Sequence, residues 1–178
     1  MKIGIDISQV AYENTGVANL LSKLVEHLLK VDKENEYVLF FAGFRKGIQN
    51  LKFKIQNYSS KVKIKSFRIP PTILDLLWNR LHVLPIELLI GGIDLFITSD
   101  WTEPPTRRAK KATILYDLAV YKFPKETDRK IVEVQKRKLR WVKKESDIIF
   151  CISEATKKDA MEILGIEENR LKVIYPGI

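Results

Sequence analysis

A repeated alternation constrains this chain more than any single motif. Short, almost uninterrupted apolar runs ("KIGIDI", "EYVLFFA", "KVKIKSFRI", "DLFITS", "ATILYD", "DIIFCIS" and "LKVIY") are separated by segments with helical periodicity. Between the first two, "GVANLLSKLVEHLLKV" places Val17, Leu20, Leu21, Leu24, Val25 and Leu28 on one helical face. "TILDLLWNRLHVL" reads as a helix, and "PIELLIGG" as a second one opened by proline and stopped by glycine. "SEATKKDAMEILG" begins with a serine cap and stops at Gly165. Strands apolar at nearly every position are covered on both faces, which is the condition of a parallel sheet. Strand–helix alternation predicts right-handed βαβ units. The predicted fold is α/β: a doubly wound, mostly parallel Rossmann-like sheet with helices on both faces. Ligands of such sheets sit beyond the carboxyl ends of the strands. That rule selects the loops after Ile7, Ala42, Ser99, Tyr116 and Ile152.

Composition narrows the class. A chain of 178 residues with 46% hydrophobic and 30% charged residues can bury a full core without staples. The single cysteine, Cys151, lies in "DIIFCIS" and predicts a buried thiol in a reducing, cytoplasmic setting. Asp6 interrupts the first apolar stretch, so no secretory signal pattern is expected. The longest apolar region is broken by Asp75, Asn79-Arg80, Pro85, Glu87 and Gly91-Gly92, which excludes a bilayer span. The net charge of +9 is uneven, because no acid occurs between Gly43 and Arg68. Arg45, Lys46, Lys52, Lys54, Lys61, Lys63, Lys65 and Arg68 form a candidate face for anionic lipid headgroups; the alternative is a solvated surface. A second basic set, "RKIVEVQKRKLRWVKK", allows the same two readings. The aromatic–basic motifs of RNA binders are missing, so nucleic acid is not expected as a partner.

The motif search is informative mainly by exclusion. Neither G-x-G-x-x-G nor G-x-x-x-x-G-K-[ST] occurs, which removes the main support for dinucleotide and P-loop sites. His27 and His82 have no companions at ligand spacing, so no metal is expected. The first loop, "DISQVAYENTGVANLL", brings Gly16 to a helix start. There it either admits a phosphate to free backbone N–H groups or is a plain turn glycine. The loops "TSDWTEPPTRR" and "YDLAVYKFP" bring Asp100, Trp101, Glu103, Tyr116 and Asp117 to neighbouring strand ends. An aromatic plate beside carboxylates suits a sugar or polyol. Taken singly, Asp117 reads equally as a turn acid and Trp101 as a cover for a core edge.

The series "KIGIDI" with Gly16-Val17, "NEYVLFF", "LWNRLHVLPIELLIGGIDLFITSDW", "ATILYDLAVYKFP", "SDIIFCISEATKKDAMEILGI" and "ENRLKVIYPGI" resembles the N-terminal domain of group 1 (family 4) glycosyltransferases of the GT-B fold. The resemblance runs over nearly the whole chain. It implies a Rossmann-like domain over 1–175, the start of an interdomain linker at 176–178, and a donor-binding C-terminal domain absent from this chain and supplied in cis or by a partner. The departures are Ser8 where the family often has arginine, Ala18 and Asn19 where it has a second glycine and an arginine, and Tyr116-Asp117 in place of a His-Asp pair. A tyrosine, with a reference pKa of about 10, is not a ready base at neutral pH. Glu154/Glu162 and Glu26/Glu34 reproduce the spacing of the family's donor-side glutamates without their flanking residues, and neither pair is assigned to donor binding.

By the resemblance, the intact enzyme is a retaining hexosyltransferase that moves a sugar from a nucleotide-sugar to a glycan or lipid-linked acceptor, without cofactor or metal. Gly16 lines the cleft near the donor phosphates, and Asp100, Trp101, Tyr116 and Asp117 contact the acceptor. Ser153 and Glu154 are further cleft candidates. The basic face implies a peripheral position at the inner side of a membrane, and the isolated chain is expected to be inactive. The alternative is a non-catalytic α/β module that completes a cleft with a partner chain.

Overall fold

A computed structural model describes residues 1–12, 15–43 and 61–176. Seven strands form one sheet: β1 (Lys2–Asp6), β2 (Glu36–Ala42), β3 (Val62–Phe67), β4 (Leu95–Thr98), β5 (Lys110–Leu115), β6 (Ile148–Cys151) and β7 (Leu171–Val173). Their spatial order is β3-β2-β1-β4-β5-β6-β7, and every pairing is parallel. The chain is therefore α/β with an open, doubly wound, Rossmann-like sheet, as the alternation predicts.

Among the described residues, six α-helices cover the sheet: α1 (Gly16–Val31), α2 (Pro71–Leu74), α3 (Glu87–Ile90), α4 (Ala119–Lys122), α5 (Arg129–Glu145) and α6 (Glu154–Leu164). β2 explains why its sequence is apolar throughout. Tyr37, Leu39 and Phe41 pack with Leu21, Val25 and Leu29 of α1. The alternate residues Val38, Phe40 and Ala42 pack with Trp78, Ile86, Ile90 and Phe96. With a period of two and both faces covered, no position is left for a polar residue. A third cluster joins β5, β6 and β7 to α4, α5 and α6 through Leu115, Leu139, Ile149, Cys151 and Leu164. Gly4 marks the closest approach: an added Cβ would lie 2.7 Å from Phe96 Cδ2.

Thr15 caps α1 by accepting from the Ala18 N–H (3.2 Å), and Ser153 caps α6 by accepting from the Thr156 N–H (3.1 Å). Gly165 ends α6 in the left-handed region, at φ 62°. The buried row of α1 is Ala18, Leu21, Val25 and Leu29. This is rotated from the predicted stripe and leaves Leu20 and Leu24 at a groove.

The largest departure from sequence expectation is "TILDLLWNRLHVL". One α-turn over Pro71–Leu74 passes into a π-helical turn over Asp75–Arg80. The wider turn closes an i→i+5 bond from Leu81 N–H to Leu76 O (2.9 Å). His82 and Leu84 then adopt positive φ of 53° and 65°, so the helix does not continue.

Candidate functional site

The strand order reverses between β1 and β4, so the crevice at their carboxyl ends is where ligands of such sheets bind. Asp6 ends β1 and is buried; its Oδ1 accepts from the Ser8 N–H (2.9 Å). Just beyond β4, the Ser99 hydroxyl lies 3.0 Å from the Tyr116 hydroxyl at the end of β5. Asp100 is held by Gln135 of α5, whose Nε2 donates to its Oδ1 (2.9 Å) and its backbone carbonyl (3.0 Å). Burial raises the pKa of both acids, against the lowering influence of the Lys138 ammonium. Tyr116 is pushed up to about 12, first by burial and then by the charges of Asp100 and Asp6, against its bond to Ser99. It stays protonated at neutral pH and serves as a hydrogen-bonding group. Two carboxyl groups and two hydroxyls thus converge at the switch point: Asp6 and Ser99 are buried, and the half-buried Asp100 and Tyr116 are the groups a polyhydroxylated ligand could reach.

A buried polar chain supports this rim. Lys138 of α5 is 2% exposed and donates to the Ser99 carbonyl and to Thr113 Oγ1 (3.2 Å). Burial lowers its pKa, while Glu103, Asp100 and Asp6 oppose that fall. The Thr98 and Thr113 hydroxyls lie 2.7 Å apart, and Thr98 donates to Glu103 Oε2 (2.6 Å). Glu103, fully buried, also meets Lys111 Nζ at 3.0 Å. Lys111 continues to Glu145 (3.0 Å), which bonds His82 (2.9 Å), whose ring stacks on Trp141 at 3.5 Å.

The structure separates the residues named from sequence. Asp100 and Tyr116 lie together in the crevice, and Asp117 is near enough to raise the Asp100 pKa. Asp117 itself is exposed and accepts from the Ala119 N–H (2.9 Å), the turn-acid role. Glu103 lies beneath the rim, inside the ion network. Trp101 lines a different cavity, between α2, the π turn and α5. Gly16 is the first residue of α1, has no positive φ, and borders a groove of about 480 Å³ with Leu20, Leu24, Ile152 and Tyr175. An added Cβ there meets nothing within 4 Å, so neither strain nor packing demands glycine. Ser153 is spent as the α6 cap, and Glu154 is exposed on that helix's first turn.

Lys61, Lys63, Lys65 and Arg68 are exposed on or beside edge strand β3; Arg45, Lys46, Lys52 and Lys54 lie outside the described residues. Cys151 is buried, and burial pushes its thiol up to about 11, the behaviour of a packing residue. Among the described residues, no group of His, Cys, Asp and Glu could hold a metal ion, and no helix is long and apolar enough to cross a membrane.

Two contributors were not assigned from sequence. Asp6 read only as an interruption of an apolar strand, although its place at the end of β1 was the available signal. Lys138 was one of many lysines in a basic helix. Its i, i+4 relation to Val142 on the buried face was the only hint.

In comparisons with protein-family models and with curated proteins, the sequence matches none of them. The class rests on the fold: a Rossmann-like α/β protein with a polar, acid-bearing switch-point crevice.

Proposed function

We propose that this chain is the acceptor-side domain of a GT-B glycosyltransferase of the group 1 (family 4) type. The observation that carries the reading is the convergence of Asp6, Ser99, Asp100 and Tyr116 on neighbouring strand ends at the switch point. Carboxyl groups accept from sugar hydroxyls, and hydroxyl side chains can both donate and accept. Asp100, Tyr116 and Asp117 contact the acceptor, with Trp101 beside them in the adjoining cavity. The nucleotide-sugar is held chiefly by a second domain, in cis or from a partner chain, with Gly16 near its phosphates and Ser153 and Glu154 along the cleft. Stabilising the departing phosphate requires donors from that opposite wall.

Saturation-transfer NMR of the protein with a panel of glycans tests the reading. The expected result is glycan binding that Asp100→Asn weakens, with no turnover of nucleotide-sugars by these residues alone. Absence of glycan binding sinks the acceptor role, and robust turnover by this chain sinks the half-cleft account.

The protein works in the cytoplasm, peripherally at an anionic membrane. On β3 the exposed Lys63 and Lys65 share a face with Phe67, which packs on the Trp78 side of the sheet. The segment that follows exposes Ile73, Leu76, Leu81, Val83 and Leu88. Cationic and apolar groups in sequence suit a lipid interface. Equal sedimentation with neutral and anionic liposomes would overturn this.

A second reading, a non-catalytic module that completes a partner's cleft, is favoured by one observation: Tyr116, in place of an imidazole, is bonded to Ser99 and protonated at neutral pH. If a transferase assembled with the second domain keeps full activity as Tyr116→Phe, the tyrosine has no part in catalysis.

A further inference from the structure

We infer that the cavity between α2, the π turn and α5 is a binding site for an anionic sugar, one bearing a phosphate or carboxylate. The inference deepens the acceptor reading by naming a substrate class, and rests on that reading only for the choice of a sugar as the ring. The cavity, about 390 Å³, is lined by Thr72, Asp75, Arg80, Trp101, Lys130 and Arg137, among others. That volume lies within the roughly 300–1,000 Å³ usual for small-molecule sites.

The argument is an inventory of donors and acceptors. Asp75 is buried, and both its oxygens are occupied. Oδ1 accepts from Asn79 Nδ2 (3.1 Å) and Arg137 Nε (3.3 Å). Oδ2 accepts from Arg137 Nη2 (2.9 Å) and Arg80 Nε (3.0 Å). Two guanidinium groups are thereby fixed on one carboxylate, which neutralises only one of them. The π turn makes this possible, because Arg80 follows Asp75 by five residues, the hydrogen-bond spacing of that turn. Beyond Asp75, the only acid lining the cavity among the described residues is Glu133, which pairs with Arg129 (3.1 Å) and more loosely with Arg137 (3.9 Å), and so leaves Arg80 and Lys130 uncompensated.

The donors are not exhausted. Arg80 uses only Nε, its side chain is 53% exposed, and its two terminal nitrogens have no acceptor among the described residues. The Lys130 ammonium has no acid partner among them either. Of the three indole N–H groups, those of Trp78 and Trp141 donate to the Leu84 and Asn79 carbonyls (3.0 and 2.9 Å), whereas that of Trp101 has no acceptor among the described residues. Thr102 also lines the cavity, is 5% exposed, and its hydroxyl has no hydrogen-bond partner among the described residues. A wall with unspent N–H and O–H donors, a net positive charge and an aromatic face complements a ring that carries an anion. A guanidinium fork fits phosphate and carboxylate alike.

The test is titration of the ¹⁵N-labelled protein with glucose 6-phosphate, glucuronate, glucose and inorganic phosphate, followed at the indole N–H signals. Trp78 and Trp141 are internal references, and the Trp101 signal is expected to move. Both anionic sugars should bind at least about tenfold more tightly than glucose, the scale of one charge-assisted hydrogen bond. Glucose 6-phosphate should also bind more tightly than inorganic phosphate. Arg80→Gln should remove most of that preference; Arg80 is half-exposed, so the fold should survive, and the exposed Lys130→Gln provides a second, milder loss. Equal affinity for glucose and the charged sugars, or unchanged affinity in Arg80→Gln, overturns the inference. In that case, glycan signals at Asp100 and Tyr116 would leave the acceptor reading standing. Anion binding without any glycan signal at the crevice would do the reverse.

Discussion

Arg137 and Lys138 are neighbours on α5 but belong to two different ion clusters. Lys138 enters the closed one, where Thr113, Thr98, Glu103 and Lys111 satisfy one another away from water and the half-buried Glu145 completes the chain. Arg137 enters the open one, where Asp75 is saturated but the cations around it are not. Asn79 joins the two: its side-chain amide donates to Asp75 and to the Trp101 carbonyl, while its oxygen accepts from the Glu103 N–H. The difference teaches how to separate structural charge from functional charge. A buried ion whose every partner is protein holds the fold in register, whereas one anchored on a single side keeps capacity for a ligand.

The comparison breaks most visibly at Lys111. Lys111→Met leaves the Glu103 carboxylate fully buried without its cation, and should cost about 3–5 kcal/mol in urea unfolding. A loss below about 1 kcal/mol, the scale of exposed pairs, would show the closed cluster to be no tighter than a surface one.

Asp75→Asn should cost less, about 2–3 kcal/mol, because Arg80 can return to water while Arg137 stays partly buried. This difference should depend on pH. Burial alone would raise the Asp75 pKa, but the bonds from Arg137, Arg80 and Asn79 outweigh it and hold the carboxyl below its ordinary range. A depressed folded pKa gives stability that is present above the unfolded value, about 3.9, and lost as pH falls through the folded one. Wild type and Asp75→Asn should therefore converge in acid, as read by melting temperature from pH 7 down to pH 2.

Arg80→Gln sharpens the contrast further. Its stability change should stay within about 1 kcal/mol, as for other exposed ion pairs, while affinity for anionic sugars falls. The smallest effect is ionic. Raising salt from 0.1 to 1 M shortens the screening length from about 10 to 3 Å. That should weaken anion binding at the open cluster and leave the Lys111→Met stability difference almost unchanged.

Much of the fold is legible along the chain. Seven apolar runs became seven strands, Ser153 and Gly165 cap α6 at its two ends, and β2 is apolar because both its faces are covered. Asp100 and Tyr116 were legible as strand-end residues once the sheet was inferred. The π turn was not, because "TILDLLWNRLHVL" has helical periodicity and nothing local announces an i→i+5 closure. The separation of Trp101 from Asp100 was equally hidden, since adjacent residues in a loop can face different cavities.

The sequence by itself determined the architecture, because hydrophobic period and helix caps are local properties that only one class of layered sheet can satisfy. It also set the inventory of charge. What only the tertiary structure decided was which charges meet. Lys138 looks like any other lysine of a basic helix until α5 packs over the ends of β4 and β5. Arg80 becomes a candidate ligand group only because a buried carboxylate, shared with a helix more than fifty residues away, fixes it in place. Burial and pairing arise from contacts distant in sequence, and no local pattern encodes them.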